Sequence, residues 1–196
     1  MPSKLEFTRR ATLLPPIVPA ARPDIGGIAP DLLGFELPLI PLMRLEESLA
    51  EKLARFRRVI RSRDVYDLAE MGHLVRAQLD LVRQILRFKV YLDIVRDGRE
   101  STVPLWGGPE FVGRTVAEII DPGDLGLILG GRVDYGPMLE RIRDDFGPMG
   151  VPVGAVETRL ATVNRGDLYW AEGEYRRLRT EYRASPPEGD RGFGSS

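Results

Sequence analysis

The spacing of apolar residues changes near residue 43. Before it, Lys4, Leu5, Glu6, Phe7 and Thr8 alternate polar and apolar, which predicts a strand with one wet face over Lys4–Arg10. Pro15, Pro16, Pro19, Pro23 and Pro30, with Gly26 and Gly27, rule out a helix between residues 11 and 30 and predict a long irregular crossing. Phe35, Leu37 and Leu39 around Pro38 suggest an edge strand within Leu32–Met43. Beyond residue 43 the period is helical. Leu45, Leu49, Leu53, Phe56 and Ile60 fall within about 80° of arc and predict a helix over Arg44–Ile60. Glu46 and Glu47 lie in its first turn, where acids complement the helix dipole. A short helix is expected over Asp64–Met71, capped by Gly72. Leu74, Leu81, Ile85, Phe88, Leu92 and Val95 mark the longest helix, ending near Asp97 and Gly98. A loop follows over residues 99–112, then short helices at Arg114–Ile120 and Tyr135–Phe146. A final amphipathic helix is expected over Val156–Arg183, with residues 184–196 as a disordered tail.

This order of elements makes an α+β chain, mainly α. Its 196 residues are enough for one compact domain, or for a small lobe joined to a helical one. Composition narrows the chemistry. The 28 basic and 29 acidic side chains leave a net charge of −1, so any polyanion site must be a local concentration of charge. With no cysteine there is no disulfide framework, thiolate zinc site or cysteine nucleophile, and a cytoplasmic location is the expectation. The charged start, followed by a proline-broken apolar run, is poor signal-peptide material, and no apolar stretch approaches the roughly 20 residues of a membrane span.

Three groups of side chains could carry chemistry. Lys52 lies about 20° outside the apolar arc of its helix. It can lay its stem on apolar surface and point an ammonium at a phosphate, or it can snorkel to water with no ligand. Asp64 and Asp67 share a helical face and can ligate, act on a base or hold an arginine. They equally imitate a capping box, with Asp64 as N-cap. Arg55, Arg57, Arg58, Arg61 and Arg63 put five guanidinium groups within nine residues, a run that suits phosphate contact or a solvated helix face. Lys89 is expected to pair with Asp93 one turn on. His73, the single histidine, has no evident catalytic partner and reads as structural. The glycine pairs at 26–27, 107–108 and 130–131 match no phosphate-binding loop and read as turns.

The string Leu45-Glu46-Glu47-Ser48-Leu49-Ala50-Glu51-Lys52-Leu53, leading to Arg63-Asp64-Val65-Tyr66-Asp67-Leu68, resembles a segment of AbiEii-type nucleotidyltransferase toxins. The run Leu86-Arg87-Phe88-Lys89-Val90-Tyr91-Leu92-Asp93 is similar to the lysine-bearing helix that follows in that family. The resemblance implies a polymerase-β-like nucleotidyltransferase sheet followed by a helical C-terminal lobe. On this sequence that means part of the sheet over residues 1–43 and the helical lobe over residues 44–183. It implies transfer of nucleotides from an NTP to RNA, in some members the 3′ end of tRNA, with magnesium as cofactor and a cognate antitoxin as partner. By the same resemblance Lys52 contacts the nucleotide and Asp64 is the acidic residue of the active site. Arg63, Asp64 and Asp67 match the family's Arg-Asp-x-x-Asp motif, with Asp67 and Glu6 as supporting acids, while the arginine run itself offers Arg57, Arg58, Arg61 and Arg63 to nucleotide or RNA phosphates. The Gly-Ser and Asp-x-Asp motifs with which the family's fold begins do not occur in the N-terminal part of this sequence. The chain is therefore expected to start inside the nucleotidyltransferase fold, and the alternative function is a catalytically inactive lobe that binds RNA, nucleotide or antitoxin.

Overall fold

The computed structural model describes residues 12–15, 43–73, 78–99, 112–123 and 133–184. The expected strands before residue 43, Glu6, most of the proline-rich crossing, the three glycine pairs and the tail beyond Ala184 lie outside the described residues. The chain groups into two compact units, one of Leu45–Tyr175 and one of Met1–Arg44 with Arg176–Ser196. In the second, the described residues include buried Leu13 and Leu14, with the Thr12 hydroxyl donating to the Leu14 carbonyl at 2.8 Å.

The Leu45–Tyr175 unit is mostly helical. Helix α1 covers Leu45–Phe56 and α2 covers Ser62–Met71, with the two-residue strand β1, Ile60–Arg61, between them. Helix α3 is Leu79–Val95, and β2 is Ile119–Ile120. Helix α4 is Tyr135–Phe146, α5 is Gly154–Ala161 and α6 starts at Leu168, ending at Ala184. Helix α1 packs on α3 and α2, α2 on α4, and α3 on α5.

Helix α1 stops four residues short of the apolar pattern that predicted it. Leu49, Leu53 and Phe56 are buried on its stripe, with Ala50 and Ala54 widening it. The amides of Arg58 and Val59 both turn back to the Arg55 carbonyl, at 2.8 and 2.9 Å, closing the helix. Val59 and Ile60 are β-branched and lose rotamer freedom in a helix. Ile60 instead pairs in parallel with Ile119, and Arg61 with Ile120, so that both paired isoleucines at 60 and 119 face inward. The same pairing corrects the expected helix at Arg114–Ile120. Only Val116–Glu118 coils there, as a 3-10 turn, before the β-branched Ile119 and Ile120 extend.

Gly72 follows α2 as expected but does not act as a left-handed cap. Its φ is −57°, an ordinary helical value. What it supplies is space: a Cβ there would lie 3.0 Å from both the Asp145 carboxylate and the buried Phe146 ring of α4. The long C-terminal helix is also corrected, because it is broken in two. Val163 adopts φ +51°, a conformation a β-branched residue rarely takes, and the Asn164 side chain accepts the Gly166 amide at 2.9 Å to begin a new turn. The Tyr91 hydroxyl fixes the break by donating to the Asn164 carbonyl at 2.6 Å.

Helix α3 is the centre of this unit. Every residue from Ile85 to Asp93 is buried, including Arg87, Lys89 and Asp93. Each charge meets its opposite from another element. Lys89 lies 2.7 Å from Glu47 and 2.9 Å from Glu51 of α1. Arg87 donates to the carbonyls of Met149 and Gly150 at 2.7 and 2.9 Å and lies 3.7 Å from Glu157 of α5. Asp93 takes Arg58 at 3.4 Å and Arg99 at 3.7 Å. The expected Lys89–Asp93 pair is thus replaced by partners that come from across the fold. Glu157 further accepts both Nε contacts of Arg83, at 3.1 and 3.0 Å, and the Val153 amide at 2.9 Å, which ties α3 to the start of α5. Phe88 and Tyr175 meet edge to face at 5.7 Å, and Arg159 stacks over Trp170 at 4.1 Å.

Two stability outcomes follow from this packing. Gly72→Ala pushes a methyl against the enclosed Phe146 ring, so chemical denaturation should show a loss of about 1–3 kcal/mol; an unchanged midpoint would contradict the close approach. Lys89→Met strips the ammonium from buried Glu47 and should cost about 3–5 kcal/mol, while Lys89→Met with Glu47→Met should recover most of it. Burial alone would lower the Lys89 pKa, but Glu47 and Glu51 together raise it above the ordinary 10.5. Its contribution is therefore present below pH 10.5 and lost as pH rises through the raised value, so the stabilities of wild type and Lys89→Met should converge in alkali.

A candidate active-site cluster between the first two helices

Lys52 and Arg55 are three residues apart on α1, and Asp64 and Asp67 are three apart on α2. Those spacings put each pair on one helical face, and the two faces meet. The Lys52 ammonium lies 2.5 Å from Asp67 Oδ2 and 3.7 Å from Asp64 Oδ1. Arg55 Nη2 contacts the same Asp64 Oδ1 at 2.5 Å. Asp64 is therefore not an N-cap. Arg61 holds that position without a side-chain bond, and Asp64 lies in the first turn of α2 with its carboxylate directed to α1. Asp67 is equally taken up by a tertiary contact.

Depth separates the four groups. The Asp64 side chain is 3% exposed, Lys52 19%, and Asp67 and Arg55 35% each. Asp64 forms the floor and the other three form the rim. Both cations sit on Oδ1 of Asp64, which leaves its Oδ2 buried with no hydrogen-bond partner among the described residues. Chemically, the arrangement offers an ammonium and a guanidinium to an anion, above a carboxylate oxygen able to accept one further hydrogen bond.

A divalent metal does not fit this cluster. Asp64 has two side-chain cations within 4 Å and Asp67 has one, so an incoming metal would meet positive charge at each carboxylate. No group of three His, Asp or Glu residues suited to a metal occurs among the described residues.

The arginine run divides by depth. Arg55 joins the cluster. Arg57 is buried, its Nη2 reaching the Arg99 carbonyl at 3.5 Å, while Arg114 donates to the Arg57 carbonyl at 3.4 Å. Burial pushes the Arg57 guanidinium down to about 10, Asp93 opposing the fall and Arg58 adding to it. Arg58 pairs with Asp93. Arg61 and Arg63 are exposed and have no ion-pair partner among the described residues. Glu6 lies outside the described residues, and His73 is exposed at the end of α2. From sequence Arg55 stood only in the arginine run and was not assigned to the site with Lys52 and Asp64, although its position three residues after Lys52 was the signal available. The roles of Glu47 and Glu51 had no local signal, because their partner Lys89 is about forty residues away.

Residues 2–148 match the family model described as nucleotidyl transferase AbiEii toxin, type IV TA system. The chain belongs to this family. Among solved structures it is similar to MenT4, a nucleotidyltransferase toxin from Mycobacterium tuberculosis H37Rv, with 30% sequence identity and a TM-score of 0.70. The match covers 89% of this chain and 57% of that one, so the chain spans little more than half the length of the similar toxin. No curated protein matches the sequence. AbiEii nucleotidyltransferases generally use a divalent metal, whereas Asp64 and Asp67 of this cluster are already neutralised by Lys52 and Arg55. No helix among the described residues is long and apolar enough to cross a membrane.

The cluster makes a graded stability prediction. Arg55→Gln removes the closest cation from buried Asp64 and should lower stability by about 1–2 kcal/mol, the part-exposed guanidinium limiting the effect. Arg61→Ser and Arg63→Ser should stay within about 0.5 kcal/mol of wild type. Equal losses in all three by urea denaturation would refute the division of the arginines by depth.

Proposed function

We propose that residues 44–183 form the helical, nucleotide-contacting lobe of a cytoplasmic nucleotidyltransferase toxin that transfers nucleotides from an NTP to RNA, with the tRNA 3′ end as a candidate acceptor and an antitoxin as its restraint. The observation that supports this reading is the convergence of Lys52, Arg55 and Asp64 within the segment matched by the AbiEii family. In it, Lys52 and Arg55 neutralise phosphate oxygens of the NTP. The free oxygen of Asp64 accepts a hydrogen bond from the nucleotide or the acceptor hydroxyl. Exposed Arg61 and Arg63 border the cluster in sequence and suit contact with the RNA backbone, which needs charge at the surface. Magnesium, as the family implies, would be held by carboxylates other than Asp64 and Asp67.

A second reading is favoured by the misfit between the cluster and a metal. In it the lobe binds RNA, nucleotide or antitoxin without catalysing transfer.

Incubating the protein with labelled NTPs, magnesium and tRNA separates the two. Transfer predicts labelled RNA with wild type and a loss of at least about 10²-fold with Lys52→Ala or Asp64→Ala. No labelling, together with RNA binding that weakens steeply with salt and is lost on Arg61→Glu with Arg63→Glu, would replace the first reading by the second.

A further inference from the structure

The two carboxylates that α2 brings to the cluster are not equivalent. Asp64 is on the floor, held through one oxygen by Arg55 at 2.5 Å and by Lys52 at 3.7 Å. Asp67 is at the rim and, among the described residues, pairs with Lys52 alone, at 2.5 Å. It is therefore the nearer neutralising charge on the ammonium. With Asp67 in place, the four side chains sum to zero: Lys52 and Arg55 against Asp64 and Asp67. Without it the cluster carries one positive charge, centred on an ammonium near the surface.

Mobility separates the carboxylates in the same way. The Asp67 side chain is about one-third exposed, so its carboxylate can turn to water by side-chain rotation, at the small cost typical of breaking an exposed ion pair. Asp64 has no such route, since both of its ion pairs and its burial hold it in place.

We propose that Asp67 is a displaceable counter-ion that occupies the phosphate seat on Lys52. The cluster takes an incoming polyphosphate by exchanging the Asp67 carboxylate for a phosphate oxygen. A monoanion exchanges one charge for one and gains nothing. A polyphosphate brings several negative charges within reach of both Lys52 and Arg55, so the exchange selects highly charged phosphates over simple anions. This inference rests on the reading of Lys52 as a phosphate-holding residue.

Calorimetric titration of the full chain with inorganic triphosphate, free of divalent metal and at fixed ionic strength, tests it. Asp67→Asn should bind about two- to fivefold more tightly than wild type, since the exchange no longer breaks an ion pair. Asp67→Ser should show the same direction, which guards against a misfolded variant. Asp67→Glu keeps the charge and should stay near the wild-type affinity. Lys52→Met should lose binding. Unchanged or weaker binding by both neutral Asp67 variants, with binding still lost in Lys52→Met, would overturn the counter-ion and leave the phosphate reading of Lys52 intact. Binding that persists in Lys52→Met would overturn that reading, and the counter-ion with it.

Discussion

The rest of the Leu45–Tyr175 unit depends on helix α3 carrying three charges through positions where every residue from Ile85 to Asp93 is out of water. A buried charge with no partner costs several kcal/mol, so each one dictates what must stand beside it. Lys89 requires the acidic first half of α1, Asp93 requires the arginines that follow α1, and Arg87 requires the Met149 and Gly150 carbonyls with Glu157. Apolar packing would let these elements slide by a residue with modest loss. Ion pairs of fixed geometry do not, and α1 and α5 are therefore locked in register on α3.

That register is what builds the candidate site. With Glu47 and Glu51 committed to Lys89, the next charged positions along α1, Lys52 and Arg55, fall on the side that meets α2. The turn after Phe56 and the pairing of Ile60 with Ile119 bring α2 back beside α1. Arg55 and Lys52 then reach the same oxygen of Asp64. Helix α1 thus serves as a divider, its acids turned to the core helix and its cations turned to the site.

The sequence located α1 and α3 because their apolar residues repeat at local intervals, and α2 and α4 as short helices between breakers; in α4 the buried Tyr135, Leu139, Ile142 and Phe146 follow the helical interval without exception. Periodicity failed where a distant partner decides the backbone. Ile60 continues the helical period of α1, yet it pairs with Ile119 nearly sixty residues on. The hydrophobic pattern also runs through Val163, where a left-handed residue, the Asn164 cap and the Tyr91 hydroxyl break the helix. Charged residues were harder still. The spacing of Lys89 and Asp93 suits a pair on one helix, but in a helix buried on all sides each is surrounded by other elements, and those supply the partners. Lys52, Asp64 and Asp67 were visible as candidates through spacing and family resemblance. Their division into a fixed acid and a rim acid was not, since it follows from burial.

The same distinction bears on how a neutral cluster can serve a charged ligand. Were both acids as deep as Asp64, removing either from Lys52 would strand a buried carboxylate, and the cluster would be a structural ion-pair network closed to anions. Were both as exposed as Asp67, neither would hold Lys52 and Arg55 in a common geometry, because mobile surface pairs confer little order. One deep acid and one shallow acid meet both requirements. Asp64, anchored by Arg55, keeps the cations converged, while Asp67 satisfies the ammonium in a position from which it can leave.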